Sequence, residues 1–199
     1  SLWDEQLSRY GAFIMEKRAA FIERLQTYAQ ALHSAVTNGR ETLSLTYAPH
    51  IEMEENGYPL IGKLMDALSR CANEDLRRGF TSVGPHRDDL FVSIDGEEAR
   101  VFASQGQQRT AALSLKLSQI DLLTAETGER PVLLLDDVLS ELDDMRGRLL
   151  LEALRKNQSF ITCTSLAGLS RAGLKDYTPW LVKKGRIGFW EGTEEGACF

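Results

Sequence analysis

Between Trp3 and about Val36 the apolar positions Leu7, Tyr10, Ile14, Phe21, Leu25, Tyr28, Leu32 and Ala35 follow one another in steps of three, four and seven. That spacing predicts one long amphipathic helix with a single apolar stripe, because residues three or four apart share a helix face. No proline interrupts it, its only glycine is Gly11, and Asn38-Gly39 supplies the stop. Leu43, Leu45 and Tyr47 then alternate with polar residues, which predicts a short half-buried strand, and the charged stretch Glu52 to Asn56 predicts a turn. Leu60, Leu64, Leu68, Cys71 and Leu76 mark a second helix ending near Gly79. Two helices with a strand between them read as an inserted arm or as a plain helical hairpin packed on the rest, and the residues alone leave both open.

After Gly84-Pro85 the period changes to two. Leu90, Val92 and Ile94 fall on one face, and Asp95-Gly96 predicts a hairpin turn into a second strand, Ala99 to Phe102. Ser104 suits the N-cap of a helix marked by Leu113, Leu117, Ile120 and Leu123. Pro131 then precedes the run Val132 to Leu135, which has the length of a strand buried on both faces, as in a parallel α/β sheet. It stops on Asp136-Asp137. Leu149, Leu150 and Leu154 predict a helix over residues 145–156, followed by a short strand from Ser159. Trp180 to Lys183 and Arg186 to Trp190 read as a hairpin closed by Lys184-Gly185, with a loosely held acidic tail from Glu191.

Bulk properties narrow the classes. A hydrophobic content of 43% over 199 residues supports a real core in one or two domains. The net charge of −6 gives no general electrostatic footprint for nucleic acid, although a global sum leaves room for a local basic face. Cys71, Cys163 and Cys198 are far apart and lack metal-ligand spacing, which suits a reducing cytosol. No apolar run approaches the ~18 residues of a membrane span, and the N-terminus has no signal-peptide pattern. The expectation is a soluble cytoplasmic protein with no membrane partner.

The candidate chemistry lies in two places. A strand ending on Asp136 and Asp137 delivers carboxylates to the carboxyl edge of a sheet, where α/β folds place their ligands. This fits a Walker B element, in which the first acid helps hold nucleotide-bound magnesium and the second handles water, and it also fits a core strand capped by a solvated turn. Earlier, Ser104-Gln105-Gly106-Gln107-Gln108-Arg109-Thr110 opens a helix with a hydroxyl, a close-approach glycine and free N–H groups. Such an end suits a phosphate, and equally an ordinary capped helix. His86 and Arg87 suit contact with a phosphate or partner, or a turn held by side-chain hydrogen bonds. Gly57 to Lys63 has P-loop spacing without P-loop chemistry, because Leu64 stands where a magnesium-binding Ser or Thr belongs. The chain therefore offers no loop to cradle the α- and β-phosphates.

Three elements in order, the Ser104 loop, the acids after Leu135, and Ser140-Glu141-Leu142-Asp143, resemble the signature loop, Walker B strand and D-loop of ABC-type ATPases. Within these the chain most resembles the RecF family of bacterial recombination and gap-repair proteins. The wording that carries the likeness is Gly84-Pro85-His86-Arg87-Asp88-Asp89-Leu90, the seven residues from Ser104, and Leu-Leu-Leu-Asp-Asp-Val-Leu-Ser-Glu-Leu-Asp from Leu133. It extends back through Leu2-Trp3-Asp4 and corresponds to only the second half or so of such a protein.

The resemblance implies an α/β fold, namely the C-terminal part of an ABC-type ATPase lobe at about 81–199 with a mainly helical inserted arm at about 1–80. It implies ATP and Mg2+ as cofactors of the complete protein. Asp136 would be the metal ligand and Asp137 the catalytic group that orients or deprotonates water. Ser104, Gln105, Gly106 and Gln107 would bind the nucleotide held by the opposite protomer, with Asp143 coupling the two sites. Implied partners are DNA at single-strand gaps or single-strand–double-strand junctions, a second copy joined through ATP, and other recombination mediator proteins. One departure is that Thr164 and Ser165 stand where ABC-type enzymes commonly carry a His that senses the γ-phosphate. Two further classes remain: another SMC-like ATPase of DNA repair, whose insert would be a far longer coiled coil, and a non-catalytic interaction module whose acids are structural. Without a phosphate cradle, this chain alone is expected not to turn over ATP.

Overall fold

The computed structural model describes residues 2–53, 58–137, 144–166, 169 and 173–190. They belong to two compact units, Ser1–Leu122 and Leu123–Phe199, and the architecture is α/β.

In the first unit, α1 spans Leu2–Thr37 as the periodicity predicts. It stops where Asn38 (φ 54°) and Gly39 (φ 71°) turn left-handed and the Gly39 N–H donates to the Ser34 carbonyl at 2.8 Å. The predicted stripe, however, is turned. Leu7, Tyr10, Ile14 and Phe21 are exposed, while Ser8, Gly11, Ala12 and Met15 are buried. The small side chains let α2 (Leu60–Arg78) approach closely, since a Cβ on Gly11 would lie 3.4 Å from Leu64 Cδ1. Ala12 and Met15 share a core cluster with Leu60, Leu64, Ala67, Leu68 and Val83. Farther along α1, Leu25 and Ala29 pack in a second cluster with Leu43, Leu45, Ile94, Ala99, Ala111 and Leu122.

Strands β1 (Leu43–Ala48), β2 (Asp89–Ile94) and β3 (Glu97–Glu98) form an antiparallel sheet in that order, with Leu43 opposite Ile94 and Ala48 opposite Asp89. The β2–β3 turn is made by Asp95 (φ 53°) and Gly96 (φ 89°), both left-handed as a two-residue hairpin loop requires. The expected strand over Ala99 to Phe102 is instead a helical turn, α3 (Ala99–Phe102). Burial of Ala99 in the core and capping of the turn explain the difference: the Gln108 amide donates to the Ala99 and Ala103 carbonyls at 3.0 and 3.1 Å. Helix α4 (Gln105–Thr127) follows. Because β1 pairs with β2, the compact unit runs through residue 80 and ends at Leu122, within α4.

The second unit contains β4 (Leu133–Asp136), α5 (Asp144–Lys156) and β5 (Ser159–Thr162). β4 and β5 are parallel, in a register that sets Leu134 beside Phe160 and Asp136 beside Thr162. Parallel neighbours require a crossover connection, and α5 lies in it. Burial of β4 on both faces is not observed. Leu135 is 9% exposed, but Leu134 is 80% and its neighbour Phe160 60% exposed, because no layer of this unit's own described residues covers that face. β6 (Trp180–Lys183) and β7 (Arg186–Phe189) form the expected hairpin, with the Trp180 and Phe189 rings stacked at 4.2 Å. The expected turn at Glu52 to Asn56 and the acidic tail from Glu191 fall partly and wholly outside the described residues. No helix among the described residues is long and apolar enough to cross a membrane.

Candidate functional site

The Ser104 loop sits at the N-terminus of α4, and its local sequence explains its shape. Ser104 Oγ accepts the Gln107 backbone N–H at 3.3 Å, while Gln107 Oε1 accepts both the Ser104 N–H and the Ser104 hydroxyl at 2.9 Å. This is a reciprocal capping box of the Ser-x-x-Gln type. Ser104, Gln105 and Gly106 are exposed at the positive end of the helix, where an anion is stabilised by the dipole and by backbone N–H groups.

Two residues that the sequence reading missed reach this loop. Gln107 Nε2 donates to Glu41 Oε1 at 3.1 Å, and the other Glu41 oxygen accepts from His33 Nε2 at 3.1 Å. His33 Nδ1 in turn lies 3.3 Å from the Ser114 hydroxyl on α4. No motif announces Glu41, which follows the Asn38-Gly39 stop, or His33, which lies inside a long helix.

Asp136 and Asp137 occupy the carboxyl end of β4, as the sequence predicts, and both are exposed. The Thr162 hydroxyl donates to Asp136 Oδ1 at 2.5 Å. The Asp137 N–H is 3.2 Å from both the carbonyl and the hydroxyl oxygen of Thr162. Thr162 is thus a third participant, placed there by the parallel register. Asp137 has φ 48°, a left-handed conformation that costs a non-glycine residue roughly 1–2 kcal/mol and that Asp tolerates better than most.

An exposed strand-end carboxylate suits Mg2+, which keeps several waters and takes phosphate oxygens alongside one or two carboxylates. No group of three His, Cys, Asp or Glu gathers as ligands among the described residues, so an ion there would take most of its shell from elsewhere than these side chains. Ser140, Glu141, Leu142 and Asp143 lie outside the described residues. Thr164 and Ser165 follow β5, both exposed.

The P-loop look-alike is excluded by its fold. Gly62, Lys63 and Leu64 lie within α2, Leu64 is buried, and Lys63 Nζ donates to the Glu52 carbonyl at 3.0 Å. The Gly84-to-Asp88 turn is held by side chains. His86 Nε2 pairs with the Thr81 carbonyl at 2.8 Å, and the Arg87 guanidinium stacks over Phe80 at 5.2 Å. The Asp88 carboxylate accepts from the Tyr47 hydroxyl and, at 2.8 Å, from the His50 N–H, with Arg18 at 3.5 Å. Burial, and then the bond to Asp88, push the Tyr47 phenol up to about 12.

No family model matches the chain. Curated relatives do match. The DNA replication and repair protein RecF of Shouchella clausii is 45% identical over 186 residues, covering 92% of this chain and 50% of the relative. RecF of Alkaliphilus oremlandii is 40% identical over 188 residues, covering 94% and 52%. Among solved structures, the recombination mediator protein RecF of the RecFOR pathway, described as RecF-ATPrS, superposes with a TM-score of 0.77 at 38% identity, covering 94% of this chain and 49% of that one. A second, described as RecF-ATP, gives 0.75 at 38% identity and covers 95% and 49%. The chain spans about half the length of the curated relatives it matches. With this identity sustained over nearly all of its length, and with the fold of those structures, the chain belongs to the RecF family and matches the C-terminal half of its members.

Proposed function

We propose that this chain is the C-terminal half of an ATP-dependent DNA recombination and gap-repair protein, in which ATP joins two head domains at single-strand gaps or single-strand–double-strand junctions. The observation that carries the reading is the Asp136-Asp137 pair at the carboxyl end of a parallel strand, with Thr162 beside it. The solved relatives described as RecF-ATP and RecF-ATPrS support ATP as the nucleotide.

Asp136, oriented by the Thr162 hydroxyl, is the residue that would hold Mg2+, directly or through water. When bound, ATP would supply the transferable phosphoryl group and Mg2+ would offset the charge on its oxygens. Asp137 orients or deprotonates the attacking water. Ser104, Gln105, Gly106 and Gln107 bind the γ-phosphate region of ATP held by the opposite protomer, and Asp143 couples the two sites. Hydrolysis by the complete protein is slow, and this chain alone is silent. We read residues 1–80 as an arm and 81–199 as head; this division concerns roles, since residues on both sides of position 80 fold together through β1 and β2. A second copy, DNA and other recombination mediator proteins are the proposed partners, in the cytoplasm.

The two acids fail differently when changed in a complete protein carrying this half. Asp137→Asn preserves ATP binding and lowers kcat by roughly 10²–10⁴-fold, the usual contribution of a positioned general base. Asp136→Asn also weakens binding of the magnesium nucleotide. Equal binding and wild-type hydrolysis in both variants would falsify the assignment. A non-catalytic module draws support from the same Thr162–Asp136 bond, and a magnesium titration followed at Asp136 separates the two, because a structural acid does not respond.

A further inference from the structure

The hydrogen bonds that leave the Ser104 loop do more than cap a helix. Both ends of the Gln107 amide are committed, Oε1 to the Ser104 N–H and hydroxyl and Nε2 to Glu41 Oε1. A carboxylate only accepts, so the NH2 end must face Glu41 and the carbonyl end must face Ser104. The same argument puts a proton on His33 Nε2, which grips the other Glu41 oxygen, while His33 Nδ1 meets Ser114 on the helix that the loop begins. His33 is 0% and the Glu41 side chain 21% exposed, so a buried post on α1 holds a partly buried carboxylate against the loop.

A serine hydroxyl has one proton. While Ser104 gives it to Gln107 Oε1, it has none for a phosphate, and a phosphate that takes it must release that bond. We propose that Glu41, held by His33, is the positioning residue of this loop: it fixes the orientation of Gln107 and, through Gln107, the direction in which the Ser104 hydroxyl points. For the identity of the anion this rests on the function proposed above; the relay itself does not.

Glu41 is the residue to change, because His33→Ala would empty a wholly buried position. In the 199-residue chain, Glu41→Ala is expected to speed amide exchange at Ser104 about tenfold, the loss of one net hydrogen bond, with exchange in β1 unchanged. Glu41→Gln should retain protection. Its carbonyl can face Gln107 and its NH2 His33, provided that His33 moves its proton from Nε2 to Nδ1 and donates to Ser114, a tautomer change visible in the ring 15N shifts. Unchanged Ser104 exchange in Glu41→Ala, or a Glu41→Gln as impaired as Glu41→Ala, overturns the proposal.

A second arm, in a complete protein carrying this half, reads ATP turnover: Glu41→Ala lowers kcat about tenfold with ATP Kd unchanged, and Glu41→Gln stays near wild type. If Ser104→Ala lowers kcat and Glu41→Ala does not, the positioning role falls and the nucleotide reading stands. If Ser104→Ala leaves kcat untouched while Ser104 exchange still responds to Glu41, the nucleotide reading falls and the positioning role stands.

Discussion

A carboxylate that is 1% exposed, Asp88, ties three parts of the first unit together: Arg18 on α1, Tyr47 on β1, and the His50 N–H just beyond β1. A buried charge is tolerated only when its lone pairs are occupied, so each partner matters. The tyrosine gives this a pH signature. Its phenol titrates near 12 in the fold against an ordinary value of 10.0, so the unfolded chain loses that proton first as pH rises. The stability Tyr47 contributes is therefore fully present below pH 10 and lost as pH rises toward 12. Tyr47→Phe should be the less stable protein at pH 8, and the gap to wild type should narrow between pH 10 and 12; a constant gap in urea midpoints across that range would show that the bond does not hold the phenol's proton. At this scale the sequence revealed residues whose chemistry is written in consecutive positions. Ser104 to Gln107 and the acids at 136 and 137 are of that kind, and both are found where their local pattern puts them. Glu41 was illegible because it meets Gln107 across 66 positions, and His33 because it meets Ser114 across 81. Only the fold sets such distances.

Helices and strands were legible where periodicity alone decides, and less so where a neighbour does. The extents of α1, α2, β1 and β2 follow their apolar spacing, but the face that α1 buries does not. The large residues Leu7, Tyr10 and Ile14 would have held α2 at a distance, and the chain packs Ser8, Gly11 and Ala12 there instead. Hydrophobic ranking misses this, because a close helix pair is chosen by small volume as well as by apolarity. α3 shows the same limit from the other side: its residues read as a strand, and Gln108, beyond the segment, makes the helical turn workable. Gly11 tests the packing. A Cβ there meets Leu64 and Pro85 at 3.4 Å, an ordinary contact, so Gly11→Ala should stabilise by about 0.5–1 kcal/mol through helix propensity. Gly11→Leu has no such room and should destabilise by about 1–3 kcal/mol. Urea unfolding followed by circular dichroism distinguishes these outcomes; equal midpoints for the two variants would mean that α1 and α2 are not in close contact.

The whole molecule carries two kinds of uncovered apolar surface. Leu2, Trp3, Tyr10 and Phe13 lie exposed on the first part of α1, and Leu134 and Phe160 lie exposed on the β4–β5 sheet, with Val132 exposed just before β4. Continuous faces of this sort are uncommon on isolated soluble chains, and a parallel pair is ordinarily covered on both sides. The length of the relatives bears on this, since their chains are about twice as long as the part matched here, and the added residues could cover such a face. Alone, the chain must leave these surfaces in water or bury them against a second copy. Removing a few hundred Å² of apolar area from water, at about 25 cal/mol per Å², provides several kcal/mol toward association as an upper estimate. The net charge of −6 opposes precipitation without cancelling a local contact. We therefore expect reversible self-association of the 199-residue chain in light scattering across a concentration series, together with binding of an apolar dye. The sheet face is the stronger candidate, because Leu134 and Phe160 sit side by side and exposed on adjacent strands of a sheet that has two strands among the described residues. Leu134→Lys should then weaken association at least tenfold, whereas Tyr10→Lys on α1 should change it less. If the larger effect falls on Tyr10, the helix stripe is the contact; if the chain stays monomeric and binds no dye, neither surface is available and the sheet is covered as it stands.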